Sequence, residues 1–213
     1  MLAWVKFAMW SAGLIGLALY AIHSFVLEAW RVPTDDPMLA ASVEPTLSAG
    51  DWVLVWRGDS FARGNLLRCP DPQAPGRYVV ARAMGAPGDH LEIRGEIVTL
   101  DGRRPPNPRA CDQDQPSYTM LDPGRQENVE LGCTVEEYGD MDFSALRAAD
   151  HLDPPTVSLV PPDKWFMVSD NRHIHVDSRD YGELDAAVCR HIVFRLVGAG
   201  GLFDRKKRLT VVW

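Results

Sequence analysis

Two stretches far apart in the chain carry side chains able to attack a carbonyl together. The first is Ser42-Val-Glu-Pro-Thr-Leu47, followed by Gly50 and Asp51. The second, residues 169–182, holds Asp170, Asn171, His173, His175, Asp177, Ser178, Arg179 and Gly182. A hydroxyl, an imidazole and a carboxylate are the parts of a serine nucleophile with a general base and an orienting acid. A third stretch, Ala81-Arg-Ala-Met-Gly-Ala-Pro-Gly-Asp89, is of the same kind but begins with alanine where a base would serve. Arg82 next to it is no substitute, because a guanidinium stays protonated. His173, His175 and Asp177 alternate in an extended segment and so share a face, the pattern of a metal site. A structural ion-pair network is the stronger reading of the same residues, so neither a metal nor another cofactor is expected.

The elements that must hold these residues are mostly strands. The chain has 213 residues with 16 prolines and 17 glycines, enough for one domain rich in short strands and turns. Trp52–Trp56, Tyr78–Met84, Thr156–Val160, Trp165–Val168 and His191–Val197 read as strands. His90–Ile93 and Glu96–Leu100 flank Arg94-Gly95, a hairpin signal. Residues 28–102 and 156–213 form the β domain in this reading, and 103–155 are an inserted cap with one short helical candidate, Asp142–Ala149. The formal net charge of −7 excludes a general nucleic-acid binder. The basic run Arg205–Arg208 is read as a solvated face.

Residues 7–27 form an apolar run broken only by Ser11, His23 and Ser24. As a helix the run spans about 30 Å, the thickness of a hydrocarbon core. It is expected to be a retained transmembrane anchor, with residues 1–6 cytoplasmic and the body on the periplasmic or extracytoplasmic face of the inner (cytoplasmic) membrane. Residues 31–40 then read as an irregular tether. Cys111 and Cys133 lie in a turn-rich polar region suited to a disulfide in an oxidising compartment. Cys69 and Cys189, in apolar surroundings, read as core residues.

The three stretches, in this order behind one apolar segment, resemble type I signal peptidases, membrane-anchored serine proteases that remove signal peptides from exported proteins. The resemblance implies a mainly β, signal-peptidase-like antiparallel fold, a substrate groove, and signal peptides of exported proteins as partners beside the bilayer. It makes Ser42 the nucleophile, with Asp170, Asp177, Ser178 and Arg179 in support. It aligns Ala81 with the family's base lysine, Ala40 with an oxyanion-binding serine, and His175 with a serine that holds the lysine. Two readings follow. In one, the protein is a peptidase in which His175 has taken over as base, with Asp177 or Asp170 orienting it and the Ser42 backbone N–H binding the oxyanion. In the other, it is an inactive relative that acts as a membrane-anchored binding or adaptor protein, with one dedicated protein partner as a candidate. Val43, Met84 and Trp52 are candidates for groove, membrane-facing or core positions.

Overall fold

The computed structural model describes residues 2–104, 109–111, 117–138, 141–149 and 153–212. Its described residues open with α1 (Leu2–Phe25), β1 (Leu27–Arg31) and α2 (Pro37–Ser42), then β2 (Trp52–Trp56), β3 (Leu66–Pro70), β4 (Tyr78–Gly85), β5 (His90–Arg94) and β6 (Ile97–Leu100). The next strands are β7 (Arg109–Ala110), β8 (Ser117–Asp122), β9 (Glu127–Tyr138) and β10 (Met141–Ala148). The chain closes with β11 (Thr156–Leu159), β12 (Lys164–Val168), α3 (Ser178–Tyr181), β13 (Leu184–Asp185), β14 (Arg190–Val197) and β15 (Arg208–Val211).

The main sheet runs β1-β2-β14-β3-β4-β12-β13, with β15 added to β14. All its pairs are antiparallel. Residue alternation along β4 distributes the core. Val80 joins Leu39, Val43, Leu47, Val53 and Ile192 on one face. Val79, Ala81 and Ala83 join Leu67, Met167 and Leu184 on the other. A three-stranded sheet, β11-β5-β6, carries a further cluster around Met84, Leu91 and Phe166.

The mainly β fold is as expected, with four differences of detail. The hairpin turn is Gly95-Glu96 rather than Arg94-Gly95: Arg94 pairs with Ile97, and both turn residues have positive φ, 54° and 67°, as a type I′ turn demands. Asp142–Ala149 is not helical. Most of it is β10, paired with β9 over eight residues from Met141 to Ala148, so cross-strand pairing overrides its helix-forming composition. The stretch 31–40 is not a plain tether, because Arg31 ends a strand and Pro37 begins α2, whose N-cap Asp36 accepts from Leu39 N–H. Cys69 and Cys189 are buried in the core as expected, but they are bonded to each other. Cys111 and Cys133 are bonded as well.

The side chains described on α1 face outward, among them Trp4, Phe7, Trp10, Leu14 and Tyr20. Among the described residues, no helix is long and apolar enough by hydropathy to cross a membrane.

Candidate functional site

The three motif stretches converge at one place. Asn171 N–H donates to the Ser42 carbonyl at 3.1 Å, and its side-chain amide donates to the Ala41 carbonyl at 3.0 Å. Arg82 bonds Asp170 through Nε at 2.7 Å and Nη2 at 3.0 Å, and its Nη2 also reaches Thr46 Oγ1 at 3.2 Å. Both members of the Arg82–Asp170 pair are fully buried. A buried pair is sustained by such a full set of hydrogen bonds, since either charge alone would be costly.

The loop that follows is a second closed network. Asp177 caps α3, accepting from Arg179 N–H, and it also accepts from Ser169 N–H at 2.7 Å. Arg179 returns to Asp177 through Nε and Nη2 and donates Nη1 to the Arg172 carbonyl. Burial raises the cost of ionising Asp177, but Arg179 and these hydrogen bonds outweigh it and hold the carboxyl well below the usual range. Ser178 Oγ accepts from Met167 N–H. Asp177, Ser178 and Arg179 therefore fix the loop to β12 and to itself, while Asp170 ties it to Arg82 on β4.

The reactive positions are arranged differently. Ser42 ends α2 with no exposed surface, and its hydroxyl donates to the Leu39 carbonyl at 2.9 Å. Its neighbours Leu39 and Val43 pack with Val80, while Ala81 points to the opposite face of β4 among Leu67, Cys69, Met167 and Cys189. Val43 and Met84 are core residues, and Trp52 is partly exposed. Ala40 is partly buried and donates its backbone N–H to Asp36.

His175 is not hydrogen-bonded to Ser42. Its Nδ1 lies 2.9 Å from Asp180 and its Nε2 3.0 Å from Asp153. A neutral imidazole donates from one nitrogen only, so two carboxylates facing both nitrogens favour imidazolium. Burial opposes that charge, but the Asp180 bond and the charges of Asp177 and Asp180 prevail and raise the His175 pKa. A ring held in that state is a poor proton acceptor. Val176, the next residue, packs against the cluster that contains Ala81.

Asp180 and Asp153 were not singled out from sequence. The spacing Asp177-x-x-Asp180 does carry a capping-box signal, whereas Asp153, 22 residues upstream of His175, has none. His173 turns away to Glu96 at 3.4 Å, so it does not join His175 and Asp177. The ligand atoms of His175, Asp177 and Asp180 do lie within 4.8 Å of one another. Arg179 already occupies both Asp177 oxygens, which makes this an ion-pair cluster. Beside it lies a cavity of about 360 Å³ lined by Asp36, Asp71, Arg77, Tyr78, His175 and Asp180, among others. Its charges are largely paired within the wall, Arg77 with Asp36 at 3.6 Å and His175 with Asp180 at 2.9 Å.

A family model described as signal peptidase, peptidase S26, matches residues 1–192. The chain belongs to that family. Among its relatives, signal peptidase I U of Bacillus subtilis (strain 168) is 27% identical over 145 residues, 66% of this chain and 62% of the relative. Signal peptidase I of Bacillus licheniformis is 23% identical over 163 residues, 75% of this chain and 69% of the relative. Signal peptidase IB of Staphylococcus aureus is 22% identical over 173 residues, 78% and 75% of the two chains. The match thus spans less than two thirds of the first relative. Membership in a family of serine peptidases supports a signal-peptidase-like function at this low identity.

Proposed function

We propose that this protein is a membrane-anchored member of the signal peptidase family that engages signal peptides of exported proteins without cleaving them at an enzyme's rate. The observation that carries the reading is the separation of the reactive parts: Ser42 is sealed with its hydroxyl on the Leu39 carbonyl, and Ala81 offers no base. A serine hydroxyl lacking its base typically loses about 10⁴ to 10⁶ in rate. The motif network around Asn171, Arg82 and Asp170 supports a kept scaffold.

In this reading α1 is the anchor, although its described residues alone do not reach the hydropathy of a membrane-crossing helix. It has 24 residues, about 36 Å of helix, and Trp4, Phe7, Trp10, Leu14, Ile15 and Tyr20 along it are large, apolar and exposed. The N-terminus is cytoplasmic and the β body lies on the extracytoplasmic face, where Cys69–Cys189 and Cys111–Cys133 suit an oxidising medium.

A second reading, a Ser42–His175 peptidase, is favoured by the Asp180 bond, which orients the imidazole as an acid orients a catalytic base. It requires His175 to leave Asp153 and Ser42 to turn from Leu39. Both readings are tested with the purified full-length protein and a signal-peptide substrate, measuring cleavage and equilibrium binding for wild type, Ser42→Ala and His175→Ala. The proposal expects binding by all three and equal, background cleavage. Wild-type cleavage that disappears in both variants would establish the peptidase instead.

A further inference from the structure

A second pocket shares Tyr78 with the first and lies against β1, just past the end of α1. It encloses about 330 Å³ and is lined by Glu28, Arg57, Arg68, Tyr78, Val188 and Arg190, together with Pro70. Each arginine arrives by a different route. Arg57 follows the last residue of β2, and its N–H donates to the Val26 carbonyl at 3.0 Å. Arg68 comes from the middle of β3, and Arg190 opens β14 directly opposite it.

The pocket has an excess of positive charge. Three guanidiniums face one carboxylate, and that carboxylate is engaged by Arg68 through two bonds at 3.0 and 3.2 Å. Arg68 is fixed further by the rings of Trp30 and Tyr78, whose centroids lie 5.3 and 4.7 Å from its guanidinium carbon. It is nearly buried, yet its Nε has no hydrogen-bond partner. Arg57 is exposed, and Arg190 uses Nη1 on the Ala187 and Cys189 carbonyls. The donors that converge here are planar forks, the geometry that matches a tetrahedral oxyanion. Val188, half exposed on the rim, adds an apolar shoulder beside them.

We propose that this arginine pocket binds a phosphate group, and that the phosphate is the headgroup of an anionic phospholipid. The chemistry of the pocket alone assigns the phosphate; the choice of lipid rests on reading α1 as the anchor. Glu28 is three residues beyond Phe25, the end of α1, so the pocket begins within about 11 Å of the helix end. The polar layer of one leaflet is about 5 to 8 Å deep. A pocket so close to an anchor's end lies at or just beyond headgroup level.

The test uses the full-length protein in a zwitterionic detergent, with titration calorimetry against dihexanoyl phosphatidic acid and against inorganic phosphate. The variants are Arg57→Gln/Arg190→Gln and, as a rim substitution that leaves every arginine in place, Val188→Asp. Saturable binding of the phosphatidic acid, weaker binding of inorganic phosphate, and at least about tenfold loss in both variants support the proposal. Equal affinity for the two ligands, lost in both variants, supports the phosphate site and overturns the lipid as its source. Absence of binding, or variants that bind as wild type does, overturns the site. Flotation with vesicles of phosphatidylcholine alone reads the anchor separately: a protein that stays behind refutes the anchor while leaving the calorimetry interpretable.

Discussion

The loop at 169–182 and the segment at 37–47 touch through Asn171 and Ser42, yet their side chains behave in opposite ways. In the loop, Asp170, Asp177, Ser178 and Arg179 are all joined to partners within the motif stretches or the strands beside them. In the segment, Ser42 has turned its hydroxyl back on its own helix. The contrast shows that a fold and its reaction are supported by different contacts. The ion-pair network is self-contained, so it persists whatever happens to the chemistry. A nucleophile depends on a base from another strand, and β4 supplies a methyl group there.

The largest effect that tests this contrast is loss of the network. Asp170→Ala leaves Arg82 buried without its partner and is expected to cost about 3 to 5 kcal/mol, read as a fall in the urea midpoint. A change below about 1 kcal/mol would show that the network is dispensable. The reverse experiment restores the missing pair. Ala81→Lys combined with His175→Ser is expected to leave signal-peptide cleavage at background, because residue 81 points to the face of β4 opposite Ser42's neighbours. A rise of about 10² to 10⁴ over wild type, the contribution of a general base, would show that the base position and Ser42 still meet. Reducing or replacing the Cys69–Cys189 pair, which spans 120 residues, is expected to cost about 2 to 5 kcal/mol. The same treatment should leave the Arg82–Asp170 contact intact if the two supports are independent, which a double-mutant cycle measures.

The smallest effect is a pH dependence. His175 has a raised pKa in the folded protein, so its contribution is complete below the unfolded value, about 6.5. It disappears as the pH rises through the higher folded value. The charges facing the ring are Asp153 before β11, Asp180 and Arg179 on α3, and Asp177 at its cap. Wild type is expected to lose stability modestly above pH 6.5, whereas His175→Gln shows a flatter profile over that interval. Identical profiles would remove the imidazolium from the account.

Much of the framework was legible because alternation marks a strand whatever its partners. β2, β4, β12 and β14 stand where their apolar patterns put them. β10 was not legible, because Ser144-Ala-Leu-Arg-Ala148 is made of good helix formers and only β9 makes it a strand. The Cys69–Cys189 bond was hidden for a related reason. Nothing local links the two residues until the sheet order brings Arg190 opposite Arg68. At the site, the motif spacing pointed to stretches that do meet, but not to the directions of their side chains. A one-residue difference in parity puts Val176 toward Ala81's neighbours and leaves His175 to two acids.

The sheet order also has a consequence in time. β14 fills the slot between β2 and β3, although more than a hundred residues separate it from either of them. While the chain is being delivered from its N-terminal end, β2 and β3 face each other as two raw edges with nothing to hydrogen-bond between them. Such edges recruit other strands. Until residues 190–197 arrive, the half-built sheet is open to an intruding extended segment from another polypeptide. Its last principal strand is therefore also the plug that makes the protein safe to its neighbours.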